Sequence, residues 1–133
     1  MRSPGSGVSI SHFDIVGEPA EKLFLWGHSA CRLNNAGDKK VIIFGGFGGT
    51  GRHARRNDLL LLDPYSGNLE MVSTVGCSPT PRLGHTASLV GNCMFVIGGR
   101  TGPDKILSDV WILDTTMNSW KLLQYSDNLF PPR

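Results

Sequence analysis

The sequence has no long apolar segment, since no stretch of its 133 residues reaches the roughly 18 apolar residues of a membrane-spanning helix. The first eleven residues are rich in Gly, Ser and Pro and lack the apolar core of a secretory signal. We therefore expect residues 1–12 to form a flexible leader, and we predict neither a membrane helix nor a secretion signal.

The sequence also contains few cysteines and carries a small net charge. The three cysteines are Cys31, Cys77 and Cys93, and no two have CxxC spacing, so we expect free thiols in a reducing, cytoplasmic compartment. The formal net charge of +2 is small and does not require a nucleic-acid partner. No stretch sustains an apolar period of 3.6 residues, so we predict no helix of consequence.

What the sequence contains instead is a repeat. The apolar residues 41–44 are followed by two glycines, and the same pattern returns at residues 94–99. Further matching pairs are His28 with His85, Asp58 with Asp109, and Asp63 with Asp114. The offset between copies is 57 at the histidines, 53 at the glycines and 51 at the aspartates. Because the extra residues of the first copy belong in loops, the matching stretches between them read as strands.

Each copy divides into four short apolar segments separated by turn residues, which predicts a four-stranded antiparallel sheet. In the first copy we expect strands at residues 28–33, 40–45, 58–62 and 69–72, and in the second at 85–90, 93–98, 109–113 and 120–123. The stretch 46–57 and the equivalent stretch through Pro103 are expected to be loop connections.

A period near 50 residues, with a double glycine closing an apolar strand and a Trp or other apolar residue about 21 positions later, resembles the kelch repeat. The kelch repeat is one four-stranded blade of a β-propeller. The resemblance implies an all-β chain, a partial β-propeller of about two kelch-type four-stranded antiparallel blades. Because a propeller has at least four blades, we expect the chain to be a fragment of a longer protein, a truncated gene product or part of an assembly.

The repeat boundaries follow from the same matching. We expect a remnant strand of a preceding blade at residues 13–23, one blade at 24–75 and a second at 76–125. Residues 126–133 read as the start of a third repeat, because Arg133 and the two prolines before it repeat the Pro81 and Arg82 pattern.

The amino-acid sequence of residues 23–33 and 43–50 is similar to the kelch region of plant tRNA wybutosine-synthesizing proteins. That resemblance implies a multidomain parent in which kelch repeats accompany methyltransferase-type domains that act on a guanosine of tRNA-Phe. It implies S-adenosylmethionine as a cofactor of the parent, and neither catalysis nor a cofactor in these residues.

A glycine-rich stretch offers a different function. Residues 46–51 match the GxGxxG pattern directly after an apolar strand, and Asp63 follows 17 residues beyond Gly46, as in dinucleotide-binding enzymes. However, only residues 52–57 separate the pattern from the next strand, which leaves no room for the required helix. We therefore favour a connection within a blade over a nucleotide-cofactor enzyme.

Residues 27–31 contain a histidine, a serine and a cysteine at spacings that suggest a nucleophile or a metal ligand pair. The stretch lacks the closing glycine of a nucleophile elbow, and Ser88 replaces Cys31 in the second copy. Since His28 and His85 share one repeat position, we interpret both as structural hydrogen-bonding residues and expect no metal and no catalytic residue here.

Basic residues are distributed unevenly. In an antiparallel blade the connections alternate between its two ends, and one end collects Arg52, Arg55, Arg56, Arg82, Arg100 and Lys105. The hypothesis is that this end binds an acidic partner, either tRNA phosphates or an acidic protein surface. The alternative is that these loops are only solvated and that Arg82 has a structural role. No aromatic residue interleaves the arginines, which argues against a platform that stacks single-stranded bases.

The predicted function is therefore a non-catalytic kelch interaction module, within a tRNA wybutosine-synthesis enzyme by resemblance. The alternatives are a kelch adaptor that binds an acidic protein and, less favoured, an enzyme that uses residues 46–51 for a nucleotide cofactor.

Overall fold

A computed structural model describes residues 24–33, 39–49 and 54–123. These residues form strands connected by turns, and no helix occurs among them. The strands are, in chain order, β1 (Phe24–Trp26), β2 (Ser29–Arg32), β3 (Val41–Phe44), β4 (Phe47–Gly49), β5 (Ala54–Arg55), β6 (Leu59–Leu62), β7 (Leu69–Met71), β8 (Thr86–Val90), β9 (Cys93–Ile97), β10 (Arg100–Gly102), β11 (Lys105–Ile106), β12 (Val110–Asp114) and β13 (Ser119–Leu123).

Two four-stranded antiparallel sheets contain the repeated strands, in the orders β2-β3-β6-β7 and β8-β9-β12-β13. We call them blade 1 and blade 2. The all-β, two-blade prediction is confirmed. Several predicted strands begin or end one residue from the observed bounds. The third strand of blade 2 begins at Val110 rather than Asp109, and the Asp109 carboxylate is bound to Arg82.

The core lies between the facing sides of the two blades. Phe44 of blade 1 is fully buried, and its ring centroid lies 5.1 Å from that of Trp120 in blade 2. Cys31, Leu33, Ile42, Leu59, Met94, Val96 and Leu113 complete this core. Burying each Ile, Val or Phe contributes about 1.5–3 kcal/mol, so this contact is the main source of stability that joins the blades.

The two long connections contain strands that the sequence analysis placed in loops. β4 lies between β1 and β5 in a three-stranded sheet, and β10 pairs with β11 in a hairpin. These strands of two or three residues, some of them glycines, are too short to show an alternating pattern.

The two small sheets repeat one another. In the first, Trp26 pairs with Phe47, which pairs with Arg55. In the second, Leu83 bridges to Arg100, which pairs with Ile106. The offsets of 57, 53 and 51 residues are those of the main repeat.

The link between the blades also protects an edge. Val75 donates its amide to the Asn118 carbonyl at 2.8 Å and accepts from the Trp120 amide at 3.3 Å. This strap covers part of the outer edge of β13, an edge that would otherwise offer unpaired backbone groups to another chain.

The expected leader, the remnant strand at 13–23 and the start of the third repeat lie outside the described residues, as does Arg52. In the described part of the chain, no helix is long and apolar enough to cross a membrane.

Candidate interaction surface

A row of three side chains crosses the small sheet of blade 1. Directly opposed residues of neighbouring strands share a face, so Trp26, Phe47 and Arg55 lie side by side. The Trp26 and Phe47 ring centroids are 5.7 Å apart at an interplanar angle of 48°, within the range of favourable aromatic pairs. Trp26 is 60% exposed and Arg55 is exposed. The row therefore presents an aromatic face and a cation to solvent.

The hairpin of blade 2 lies at the same end of the molecule. The Leu83 amide donates to the Arg100 carbonyl at 3.0 Å, and the Gly84 amide donates to the carbonyl of Gly27, the residue after Trp26, at 2.9 Å. Arg100 and Lys105 are both exposed. The link at residues 83–84 thus joins the two small sheets into one surface, which we call the loop end.

Of the six predicted partner-binding residues, Arg52 lies outside the described residues, and the structure separates the other five into three groups. Arg55, Arg100 and Lys105 are exposed cations of the loop end. Arg56 is only partly exposed and forms an ion pair with Asp58. Arg82 is fully buried.

Because Arg82 is fully buried, it cannot contact a binding partner in this structure, which corrects its inclusion among the predicted partner-binding residues. Its guanidinium donates two hydrogen bonds to the Asp109 carboxylate, at 2.6 and 3.0 Å. Further bonds, each 3.1 Å long, go to the carbonyls of Gly98 and Thr80 and to the Thr80 hydroxyl. All the donor nitrogens of the guanidinium are therefore used inside the fold.

The hydrogen bonds around Asp109 change the pKa of its carboxyl group. Burial by itself raises the pKa of the Asp109 carboxyl, but hydrogen bonds from Arg82 and Trp111, with the Arg82 charge, outweigh burial and hold this pKa below its usual value. The Trp111 indole N–H donates to the same carboxylate at 3.0 Å. Arg82 and Asp109 thus form a structural ion pair of blade 2.

The Arg82 backbone connects this pair to blade 1. Its amide donates to the Arg56 carbonyl at 3.1 Å, and its carbonyl accepts from the Gly46 amide at 2.8 Å. One residue therefore holds blade 2 through its side chain and blade 1 through its main chain.

His85 occupies the interface between the blades. Its Nε2 lies 2.8 Å from Ser29 Oγ, and its ring makes an edge contact with Phe44 at a centroid distance of 5.2 Å. Burial and then the Arg82 charge lower the pKa of His85 to about 4, although a backbone hydrogen bond at Phe44 opposes them. The imidazole is consequently neutral at pH 7.

A neutral histidine beside a serine invites comparison with a nucleophile and its base. The Nδ1 atom of His85 is buried, however, and among the described residues it has no hydrogen-bond partner, so no carboxylate orients the ring. Phe44, which is fully buried, also packs against His85, so the His85 and Ser29 side chains border the core. This arrangement fits a contact that joins the blades better than a site that admits a substrate.

The other candidate residues of the stretch 27–31 do not favour metal binding or thiol chemistry. Cys31 is part of the core, and burial raises the pKa of its thiol, which disfavours the reactive thiolate. His28 is exposed. Within residues 24–33, 39–49 and 54–123, no three His, Cys, Asp or Glu side chains are grouped so as to hold a metal ion.

The glycine-rich stretch begins as a strand rather than as a phosphate-binding turn. Residues 47–49 pair with β1, and the Gly46 amide is occupied by the Arg82 carbonyl. Gly46 has a φ of +92°, and a Cβ there would lie 2.8 Å from the Cβ of His28. The glycine is therefore required for close approach of two chain segments.

A groove of about 340 Å³ lies between the blades, away from the loop end. Its lining is mixed: five of the nine lining residues are apolar, Glu70 is the one charged lining residue, and Ser73, Thr115 and Asn118 are polar and uncharged.

Sequence reasoning missed the aromatic part of the loop end. It found no aromatic residue among the arginines because Trp26 lies 29 residues before Arg55 in the chain. Pairing of β1 with β4, and of β4 with β5, brings the two into one row. The available signal was Trp26 at a repeat position that the second copy fills with Leu83.

Two copies of a four-stranded antiparallel sheet, packed face to face and joined through the first strand of each, define a pair of β-propeller blades. The profile of the KLHDC2/KLHL20/DRC7 Kelch-repeats domain matches residues 10–133. The chain belongs to the kelch-repeat family.

Its relatives are much longer proteins. Over 95% of the chain it is 55% identical to tRNA wybutosine-synthesizing protein 2/3/4 of Arabidopsis thaliana, and 50% identical to that of Oryza sativa subsp. japonica. Over 80% of the chain it is 35% identical to the Rho GTPase-activating protein gacHH of Dictyostelium discoideum. The chain spans 13%, 12% and 7% of these three proteins, respectively.

Proposed function

We propose that this chain is a non-catalytic interaction module of a larger protein and that its loop end binds an acidic partner. The observation that carries the proposal is the grouping of Arg55, Arg100 and Lys105, all exposed, on two small sheets joined at residues 83–84. A cluster of solvent-exposed cations attracts phosphates or carboxylates.

The proposed parent is a tRNA wybutosine-synthesizing protein, in which this module positions tRNA or organises catalytic domains that use S-adenosylmethionine in the cytoplasm. High identity over almost the whole chain to two plant proteins of that name supports this assignment. The chain spans only 13% and 12% of those two proteins, and in this proposal the catalytic residues lie in other parts of the parent.

The test reverses the three exposed charges together: Arg55→Glu, Arg100→Glu and Lys105→Glu. Binding of tRNA-Phe is measured by filter retention at several salt concentrations. We expect weaker binding and a shallower salt dependence, by about 0.7–0.9 in the log–log slope for each phosphate that is no longer neutralised. Arg56 and Arg82 stay unchanged, because their ion pairs support the fold.

The matched control reverses Arg32 and Lys39, two exposed cations at the opposite end of blade 1. It should leave binding and its salt dependence close to those of the unaltered chain. Equal binding by the loop-end variant and the unaltered chain would contradict a role for this surface.

A second candidate is an adaptor for an acidic protein. It is favoured by the match to a Rho GTPase-activating protein, whose name mentions no RNA, so similar repeats occur in proteins of different kinds. In this case the loop-end variant loses a protein, identified by mass spectrometry, whose binding resists ribonuclease, while tRNA-Phe binding is absent from the start.

A further inference from the structure

The groove between the blades has a row of blade 1 side chains as one wall. The row takes one residue from each strand and consists of Cys31, Ile42, Leu61 and Glu70, which are paired directly across the sheet and therefore share a face. Ile42 is 2% exposed and belongs to the core between the blades, so this face is turned toward blade 2. Because the structure describes both blades, the opening of the groove results from how these two blades pack.

Glu70 ends this row with a charge that makes no contact inside the fold. Its side chain is exposed, and within the described part of the chain its carboxylate has neither an ion-pair nor a hydrogen-bond partner. The equivalent residue of blade 2 is Lys121, so the repeat does not require an acid at this position. The carboxylate is therefore available to a cation from outside the chain.

The opposite wall includes Asn118, from the turn between β12 and β13. Among the described residues it is the one non-glycine residue with a positive φ, at +53°, and its counterpart in blade 1 is Gly67, with a φ of +76°. Glycine adopts this conformation without strain. Blade 2 thus keeps a side chain where glycine satisfies the turn, and that side chain lines the groove.

The lining defines the chemistry of an occupant. Leu61 and Val72 are apolar and partly buried, and the Ser73 hydroxyl and the Asn118 amide add neutral oxygens to the carboxylate of Glu70. A lysine side chain combines an apolar stem with an ammonium that carries three donors, so both of its parts find a matching lining. The volume of about 340 Å³ lies at the lower end of the range of about 300–1,000 Å³ for ligand pockets.

We infer that this groove binds a lysine side chain of a partner protein, with the ammonium at Glu70 and the stem against Leu61 and Val72. This goes beyond the proposed function, because it concerns a second surface and a basic rather than an acidic partner. The exposed cations of the loop end repel a basic segment, so the two surfaces select partners of opposite charge.

The experiment uses the full chain, isotope-labelled for NMR, and a glycine–serine heptapeptide with one lysine at its centre. Titration to millimolar peptide should produce saturable shifts of the amide signals of Glu70, Ser73 and Asn118. Glu70→Gln keeps the shape of the side chain without its charge and should weaken binding by about 3- to 10-fold. Asp104→Asn is the matched control, since it removes an exposed carboxylate at the loop end and should leave the affinity unchanged.

Two further variants separate binding from folding, because each introduces the residue that the other copy has at that position. Asn118→Gly should fold without loss of stability but weaken binding by about 2- to 10-fold, since one polar side chain of the lining is removed. Glu70→Lys should fold and should no longer bind the lysine peptide. Circular dichroism checks the fold of both variants.

A heptapeptide with norleucine in place of lysine retains the stem without the ammonium and should bind more weakly. Lysine recognition is refuted if the two peptides bind equally, if Glu70→Gln has unchanged affinity, or if no saturable shift appears. It is also refuted if butylammonium alone binds as tightly as the peptide, because a free amine would then be the occupant. Shifts of the same signals with chain concentration alone would identify a second copy as the occupant instead. The charge reversal at the loop end is measured separately, so the proposed function can fail or stand independently.

Discussion

The two blades place different side chains in equivalent positions and surround them differently. Phe44 is fully buried, whereas Ile97, at the same repeat position in blade 2, is 41% exposed. Phe44 is covered by His85 and Trp120 of blade 2, and no described residue covers Ile97 in this way. The repeat thus determines the strand on which a residue lies, and the neighbouring blade determines its burial.

The same comparison holds for the ion pairs. Asp109 is bound by Arg82 from the link that precedes its own blade. The position equivalent to Arg82 in the first copy is Leu25, and there Asp58 is paired with Arg56 from the connection within its own blade. The Arg82 pair is the more buried, since its guanidinium has no solvent contact.

The largest expected effect comes from breaking the buried pair. Asp109→Ala should lower the free energy of unfolding by about 3–5 kcal/mol, because it leaves the Arg82 charge buried without a partner. Asp58→Ala removes the equivalent carboxylate from a partly exposed pair and should cost only about 0–1 kcal/mol. Urea denaturation of both variants measures the difference, and equal losses would show that burial does not distinguish the pairs.

The next largest effect is the decrease in the free energy of unfolding that His85 causes at acidic pH. His85 has a pKa of about 4 in the fold, lowered by burial and by Arg82 from the ordinary value of about 6.5. Between these values the unfolded chain binds a proton that the folded chain does not, so the free energy of unfolding falls with falling pH. The loss amounts to about 3 kcal/mol by pH 4.

Measured between pH 7 and pH 4, the His85→Gln variant should lack this component of the pH dependence, whatever its stability at pH 7. His28→Gln changes the equivalent but exposed histidine and should keep it. The contribution of Asp109, whose pKa is lowered, begins to be lost below about pH 5, but it is common to His85→Gln and His28→Gln and cancels when the two variants are compared. An unchanged pH slope in His85→Gln would refute the buried, neutral state of this histidine.

The smallest effect compares the first glycines of the two pairs. Gly45 and Gly98 have φ values of +70° and +66°, so alanine at either position costs about 1–2 kcal/mol of backbone strain. A Cβ on Gly45 would also lie 2.8 Å from His85 Cε1 and 3.0 Å from the Arg82 carbonyl oxygen, whereas one on Gly98 meets only the Leu107 carbonyl oxygen at 3.2 Å.

Gly45→Ala should therefore be less stable than Gly98→Ala by about 1–3 kcal/mol, because the buried blade interface cannot yield. Urea midpoints of the two variants test this. Indistinguishable midpoints would mean that the blades can separate slightly without cost.

Much of the fold could be predicted from particular residues. The double glycines, the repeated histidines and the aspartates defined eight strands and their pairing, because an apolar strand closed by two glycines is a local signal. The small sheets escaped prediction since β5 and β11 have two residues each, too few for a pattern.

Prediction of the candidate site was less complete. Loop-end membership of Arg55, Arg100 and Lys105 followed from counting connections, but the burial of Arg82 did not, since it depends on a bond to Asp109, 27 residues away in the chain. Trp26 was missed for the same reason, as only strand pairing brings it beside Phe47.

The sequence alone determined that this chain folds as repeated four-stranded sheets of the kelch family, because strand pattern and glycine position are local properties of the chain. Only the tertiary structure decided which equivalent residues are buried and which are exposed, that Arg82 joins the blades, and that an aromatic row lies beside exposed cations. Those properties depend on contacts between segments distant in sequence, and a repeat pattern carries no information about the neighbour that each copy meets.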